Sequence, residues 1–177
     1  AGNPEIPVQP EVGITATPVI DANSGTIYAL AQTVENGVFM NKLHALDITS
    51  GAERPGSPAV LSDPQFVDKQ EFERCALLLA NGNVYTAFAS YGDIEPYKGF
   101  IFAFNASTMA KVAVWNVVPT GGEGGIWMGA AGPAAPAADG VADLPDVRVR
   151  LRDRAGVRRR ARRPDSRLLL QPRRQPD

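Results

Sequence analysis

Short apolar segments alternate with polar turns through the first 135 residues of the chain. Residues 17–30 read TPVIDANSGTIYAL, in which a turn of Asn, Ser and Gly separates two apolar segments. Residues 77–89 read LLLANGNVYTAFA, and the Asn81-Gly82 pair suits the positive-φ positions of a tight hairpin turn. Each of these stretches therefore predicts two antiparallel strands joined by a short turn.

The same pattern occurs twice at a nearly constant spacing. Ile27-Tyr28 corresponds to Val84-Tyr85, 57 residues later, and Ala45-Leu46-Asp47 corresponds to Ala103-Phe104-Asn105, 58 residues later. In both copies a strand runs into Asp or Asn, whose side chain can bond the backbone of the turn that follows. The matching landmarks indicate an internal repeat.

Two units and the beginning of a third follow from this spacing. After each Asp or Asn turn comes another β-rich segment, at 57–61 and 111–117, which gives about four strands per unit. The first unit spans about 14–62, the second about 75–118, and a third begins at 125–135. Four-stranded units at a fixed period are typical of propeller blades, which need neighbours on both sides. We therefore expect an all-β chain that forms part of a β-propeller.

The segment 62–75, SDPQFVDKQEFERC, interrupts this pattern because it is polar and charged. Its length explains why the period exceeds the roughly 40–50 residues of common propeller repeats. We interpret it as a connection between two blades that includes a short helical turn.

The sequence changes character after Ala135. Residues 1–135 carry 6 Lys and Arg, 13 Asp and Glu, and all the aromatic residues, whereas 136–177 carry 12 Arg, 6 Asp and no Lys. This irregular Arg/Pro-rich tail is interpreted either as a disordered extension or as an out-of-frame translation of a GC-rich gene. Clustered Arg also favours nucleic-acid binding, but the missing Lys and aromatic residues make nucleic acid the less favoured partner.

The two units resemble the quinoprotein-like, or PQQ-type, propeller repeat. In that family a strand with Tyr follows a Gly turn, and the next strand ends in Ala-x-Asp before a Thr-Gly turn. The first unit has GTIYAL and LHALDITSG, which fit this pattern. The second has GNVYTAF and IFAFNASTM, in which Asn105 replaces the Asp and Met109 stands where Gly is expected. Trp115 lies near the position at which the family often closes a blade with Trp.

The resemblance implies a bacterial protein that is periplasmic, secreted or on the cell surface. We expect from this resemblance that the chain is a non-catalytic scaffold or binding segment. Its partner is then a protein or a small molecule of unidentified chemistry. The alternative is a fragment of a PQQ-dependent dehydrogenase, with PQQ and Ca²⁺ as cofactors. The vicinal cysteine pair that such enzymes often have is absent, since Cys75 is the only cysteine. No apolar segment approaches the length needed to span a bilayer, and residues 1–10 do not resemble a signal peptide.

Few residues are candidates for a site, and no catalytic or metal-binding residue is predicted. Trp127 is a candidate for cofactor binding, because aromatic rings often form the walls of binding sites. Asp93 is the second candidate, since it forms the closest acidic pair, with Glu95, on an expected loop. His44, the only histidine, aligns with Phe102 and is expected to be packed between blades.

The remaining polar landmarks are expected to be structural. Asp21, Asp47 and Asn105 each begin a turn, and the last two recur at the repeat spacing. Cys75 directly precedes the apolar segment ALLLAN, so we expect a small buried hydrophobic residue there.

Overall fold

The computed structural model describes residues 13–92, 95–128 and 131–135. Within these ranges the chain consists of two antiparallel β-sheets and contains no α-helix. None of the described residues therefore belongs to a helix that could cross a membrane. The expectations for the tail, 136–177, fall outside the described residues.

The first sheet has four strands in the order β1-β2-β3-β4. They are β1 (Val19–Asp21), β2 (Thr26–Glu35), β3 (Val38–Asp47) and β4 (Ala59–Val60). β2 and β3 pair along their whole length, so they form the long central hairpin of the sheet. Their turn at Asn36 has a positive φ of 51°, which Asn tolerates better than most residues do.

The second sheet has five strands. Four of them repeat the order of the first sheet: β6 (Leu78–Ala80), β7 (Asn83–Ser90), β8 (Phe100–Asn105) and β9 (Lys111–Asn116). The fifth strand, β5 (Glu71–Glu73), pairs with the C-terminal part of β7, whereas β6 pairs with its N-terminal part on the same edge of the sheet.

The register of the two sheets confirms the repeat at the level of single residues. Tyr28 lies opposite Ala45 in the first sheet, and Tyr85 lies opposite Ala103 in the second. Residues directly opposite in an antiparallel pair share one face of the sheet. The aligned positions therefore have the same strand, the same partner and the same face in both units.

The first edge of each sheet carries the same irregularity. In the first sheet, Gly13 pairs with Gln32 and Val19 pairs with Tyr28. From one pair to the other the edge segment advances six residues, whereas the matching part of β2 advances only four. In the second sheet the edge also advances six residues, between the pairs Phe72–Ala89 and Leu78–Tyr85, while β7 advances four. Extra residues on one strand bend it and interrupt the ladder, so both units bend at the same place.

The turns after β3 and β8 share one set of hydrogen bonds, as the sequence predicts. Asp47 Oδ1 accepts from the backbone N–H of the second and third residues that follow it, at 3.0 and 2.9 Å. Asn105 Oδ1 does the same, at 3.0 and 2.9 Å. Gly51 and Met109 end the two turns with positive φ angles of 73° and 59°. Met109 thus occupies the backbone conformation for which the repeat expects Gly.

A large apolar cluster joins the two sheets face to face. One face of the first sheet, which we call its packed face, carries Tyr28, Leu30, Leu43 and Ala45. It meets the near face of the second sheet, which carries Val84, Phe88, Phe100, Phe102 and Phe104. Phe66 lies between them and contacts three of these phenyl rings edge-on, with ring centroids 5.0–5.2 Å apart.

A second apolar cluster lies on the far face of the second sheet. Tyr85, Ala87, Ile101 and Ala103 are buried there, under Ile126 and its neighbours in the chain. The backbone N–H of Ala76 donates to the carbonyl of Ala131 at 3.1 Å. The described part of 125–135 forms no strand, but it covers the face where a third unit is expected to begin.

The interpretation of 62–75 is correct in one respect and wrong in another. The backbone N–H groups of Gln70 and Glu71 both donate to the carbonyl of Val67, at 2.8 and 3.2 Å, which forms a single helical turn. The last part of the segment, Glu71–Glu73, does not belong to the connection but forms strand β5 of the second sheet. The reason is that β7 extends beyond the reach of β6, so its final residues need another strand for their backbone hydrogen bonds. The second sheet consequently begins at Glu71, a few residues before the expected boundary near 75.

Candidate functional site

Four polar side chains lie buried on the near face of the second sheet, at its contact with the first. Glu71 lies directly opposite Ser90, and Thr86 is on the same face of β7 because side chains alternate along a strand. Glu73 lies opposite Phe88 on this face. The exposed fractions of Glu71, Glu73, Thr86 and Ser90 are 1%, 3%, 0% and 1%. We call these four residues the polar layer.

Most of the polar layer lacks hydrogen-bond partners among the residues that the structure describes. One carboxyl oxygen of Glu71, Oε1, accepts from the backbone N–H of Lys98 at 3.1 Å. Five other polar atoms of the layer are buried without a partner among the described residues: the second carboxyl oxygen of Glu71, both carboxyl oxygens of Glu73, and the hydroxyls of Thr86 and Ser90. Buried polar atoms are normally paired, so this is an unusual concentration of unpaired groups.

Burial controls the protonation of both carboxyl groups. Desolvation raises the pKa of Glu71 to about 8, although the backbone N–H and the ammonium group of Lys98 partly oppose the shift. Desolvation alone raises the pKa of Glu73 well above its ordinary value. Glu71 is therefore mainly neutral at pH 7, and burial favours the neutral form of Glu73 as well. A neutral carboxyl group is far cheaper to bury than a carboxylate.

A fully paired network lies beside the polar layer. Asp68 Oδ1 accepts from the backbone N–H and the side-chain amide of Asn41, at 2.7 and 2.9 Å. The amide of Gln32 donates to the carbonyl of Asp68 at 2.7 Å, and the hydroxyl of Tyr91 donates to Gln32 Oε1. This network connects the end of β2 and β3 with the end of β7, and so fixes the two sheets relative to each other.

The polar layer does not fit the Ca²⁺ site that a quinone-dependent dehydrogenase requires. Such a site takes 6–8 oxygen ligands, several of them carboxylate or amide oxygens that converge on one point. Across the described ranges, His, Cys, Asp and Glu side chains form no group of three or more that could hold a metal ion. The two carboxyl groups of the polar layer therefore fall short of the ligands that such a Ca²⁺ site takes.

The structure places one of the two predicted cofactor-binding residues. Trp127 is half-buried and packs edge-to-face against Tyr97, with ring centroids 6.1 Å apart. A side chain on Gly125 would lie 2.5 Å from the indole nitrogen, so Gly125 leaves the space that Trp127 occupies. Asp93 lies outside the described residues, while its acidic neighbour Glu95 is exposed. Binding of a cofactor by Trp127 and Asp93 stays a prediction.

His44 occupies the position that its alignment with Phe102 predicts, but no second sheet covers it in the described structure. It lies on the face of the first sheet that points away from the second sheet, which we call the open face. Its Nδ1 lies 2.6 Å from a carboxylate oxygen of Glu53, whose other oxygen accepts a hydrogen bond from Ser57. The side chain of His44 is 24% exposed.

Cys75 is buried, as its sequence context predicts. It has an exposed fraction of 0%, and its thiol donates to the carbonyl of Ile126 at 3.4 Å. Desolvation raises the pKa of this thiol to about 11, so the reactive thiolate form is rare at neutral pH.

Sequence reasoning missed the polar layer because its two carboxyl groups stand in a charged segment. A signal was present: in the sequence EFE, at 71–73, polar residues alternate with an aromatic one at the period of a strand. The pattern predicts a strand with Phe72 buried and Glu71 and Glu73 exposed. Instead the sheet buries both faces, because the first sheet covers one, while Ile126, Met128 and Ala135 pack on the other.

The chain matches no protein-family model, and a search of the curated proteins gives no significant match.

Proposed function

We propose that the chain is a segment of a β-propeller of the quinoprotein-like repeat type, and that it acts as a non-catalytic scaffold or binding segment. One observation carries this proposal: two sheets share strand order, register, edge irregularity and turn hydrogen bonds, and they pack face to face. Units that repeat in this way bury their faces against each other, which is how propellers and solenoids gain stability.

The direction of stacking supports a propeller. The packed face of the first sheet corresponds by register to the far face of the second sheet, because Tyr28 corresponds to Tyr85. Each unit thus presents one kind of face to the next unit and the other kind to the preceding one. Such a head-to-tail contact repeats in one direction and closes into a ring when the rotation allows.

The chemistry of the described residues favours a scaffold over an enzyme. The two carboxyl groups of the polar layer are buried on the near face of the second sheet, so neither carboxyl group is available to a substrate at the surface. The thiol of Cys75 is buried and protonated. These groups support the packing of the sheets rather than a reaction with a bound molecule.

Export to the periplasm, the cell surface or the medium is part of the same proposal and derives from the family resemblance. The partner is then a protein or a small molecule held by the complete propeller.

The test uses the natural protein that contains this segment. It is incubated with PQQ and Ca²⁺, and oxidation of primary alcohols is followed with an artificial electron-accepting dye, while its structure is determined by electron cryomicroscopy. We expect a closed ring of four-stranded blades and no alcohol oxidation above the protein-free control. Robust turnover would instead identify a quinoprotein dehydrogenase, and units that do not form a ring would refute the propeller.

A further inference from the structure

The open face of the first sheet is apolar over much of its area and is uncovered in the described structure. Ile20 on β1 and Val60 on β4 have exposed fractions of 52% and 46%. By the alternation of side chains, the face carries the apolar residues Ile20, Ile27, Ala29, Leu46 and Val60, and its polar residues are Thr33, Glu35, Lys42 and His44.

The repeat identifies what covers such a face. Ile27 and Leu46 lie opposite each other in the first sheet, as Val84 and Phe104 do in the second. In the second sheet this pair has exposed fractions of 0% and 1%, because the packed face of the first sheet lies on it. The same positions are therefore fully buried in one unit and only half-buried in the other.

The charged groups on the open face are already paired within the first sheet. Lys42 forms an ion pair with Glu35, and His44 pairs with Glu53. The side chains of Lys42 and His44 stand where the near face of the second sheet carries Phe100 and Phe102. Because a paired charge costs much less to cover than an isolated one, another sheet can cover this face without leaving an unpaired cation.

We infer that the open face of the first sheet is the docking surface for a further four-stranded unit of the same repeat. The occupant presents a packed face equivalent to Tyr28, Leu30, Leu43 and Ala45, since this is the surface that covers the equivalent positions of the second sheet. The inference rests on the proposed propeller and adds the surface, the chemistry and the orientation of the contact.

A tandem chain tests the inference. The tandem chain consists of residues 1–71 followed directly by residues 13–177. Because Gly13 corresponds to Phe72 at the edge irregularity, this junction inserts one additional unit without changing the spacing of the repeat. Ile20→Cys is introduced into the original chain, and into the second copy of that position in the tandem chain. Cys75 is fully buried and stays unreactive in both. The rate at which Ellman's reagent modifies the new thiol is then measured.

We expect the new thiol to react roughly tenfold or more slowly in the tandem chain, because the added unit must open before the reagent can enter. Val112→Cys is the matched control: Val112 is 58% exposed on the outer strand β9, so its rate should be equal in the two chains. Equal rates for the thiol at position 20 would overturn the inference.

A second substitution keeps the test decisive if Cys at position 20 disturbs β1. Leu46→Lys should change the urea midpoint of the original chain little, but it should remove the protection gained in the tandem chain. The equivalent Phe104→Lys should strongly lower the midpoint of the original chain, because Phe104 is already covered. If protection in the tandem chain survives Leu46→Lys, the open face is not the docking surface.

Failure of this inference differs from failure of the proposed function. An unprotected thiol in the tandem chain, together with a closed ring in the natural protein, overturns only the docking surface. A protected thiol in a natural protein without a ring overturns the propeller and leaves the contact between units in place.

Discussion

At the scale of single residues, Glu71 carries the clearest energetic consequence of the fold. Burial raises its pKa from 4.5 to about 8 in the folded state, whereas it titrates near the ordinary value once unfolded. Between those two pH values the folded state binds more protons, so the free energy of unfolding falls as the pH rises. The loss amounts to about 1.4 kcal/mol per pH unit for one such group.

Glu71→Gln should remove this contribution, because the amide keeps the shape of the side chain but does not titrate. We expect the variant to lose less stability than the wild type between about pH 5 and pH 8, and to be the more stable protein at the upper end. Urea unfolding across this range measures the effect. Glu35→Gln is the control, since Glu35 is exposed and its pKa is lowered by Lys42. Parallel profiles for Glu71→Gln and the wild type would contradict the assignment.

Met109 shows why the second unit departs from the expected Gly. Its left-handed backbone costs about 1–2 kcal/mol relative to Gly, but its side chain is 3% exposed within the cluster between the sheets. Removing a buried Met side chain costs roughly 2–5 kcal/mol, which is the larger of the two effects. Met109→Gly should therefore lower the unfolding free energy, even though it restores the residue that the repeat expects.

The equivalent position in the first unit supplies the comparison for Met109. Gly51 has a positive φ of 73° and no atom within 4 Å of an added Cβ. Gly51→Met should cost only the backbone penalty, because the new side chain gains no contacts there. Urea midpoints of both variants decide the point: a Met109→Gly protein as stable as the wild type would show that packing does not hold Met109 in place.

At the scale of elements, the connection after β3 touches the turn after β8 at Gly56. A side chain at this position would lie 2.4 Å from the backbone carbonyl oxygen of Thr108, and the φ of Gly56 is +83°. Gly37, between β2 and β3, has nearly the same φ of +81° but open space around it. A comparison of substitutions at the two glycines therefore distinguishes the cost of backbone strain from the cost of crowding the contact between the sheets.

Gly56→Ala should destabilise the protein more than Gly37→Ala does. Both variants carry the penalty of a left-handed Ala, about 1 kcal/mol, and Gly56→Ala adds roughly 1–3 kcal/mol for pushing the two sheets apart. Chemical denaturation of both variants measures the difference. Equal losses of stability would mean that the turn after β8 moves away from the new methyl group without cost.

The strands around the tight turns could be predicted from sequence, because Asn81-Gly82 and the Asp and Asn turns determine local geometry. For strand β5 the sequence offers only the short alternation of EFE, and the pairing of this strand depends on the length of β7. The polar layer was out of reach for the same reason. Whether Glu71 is buried depends on the first sheet, whose long central strands are distant in the chain, and no local pattern records that contact.

At the scale of the whole molecule, the two sheets differ in how many of their faces are covered. The packed face of the first sheet and both faces of the second are covered within the described residues, while the open face is not. Stacked repeats are stable because each unit buries its neighbour's surface, so a unit with an uncovered face contributes less than its full stability. An uncovered apolar sheet also favours association.

The chain of 177 residues should therefore associate as its concentration rises, which sedimentation velocity detects as a rising weight-average sedimentation coefficient. Ile20→Lys combined with Val60→Lys should suppress this, because the charges repel a second copy at the open face without disturbing a buried contact. Val67→Lys is the matched control, since Val67 is 47% exposed on the connection between the sheets, and it should leave association unchanged. A chain that remains monomeric at all concentrations and unfolds in one cooperative transition would show that the open face is adapted to water, as expected of a terminal unit that caps a repeat array.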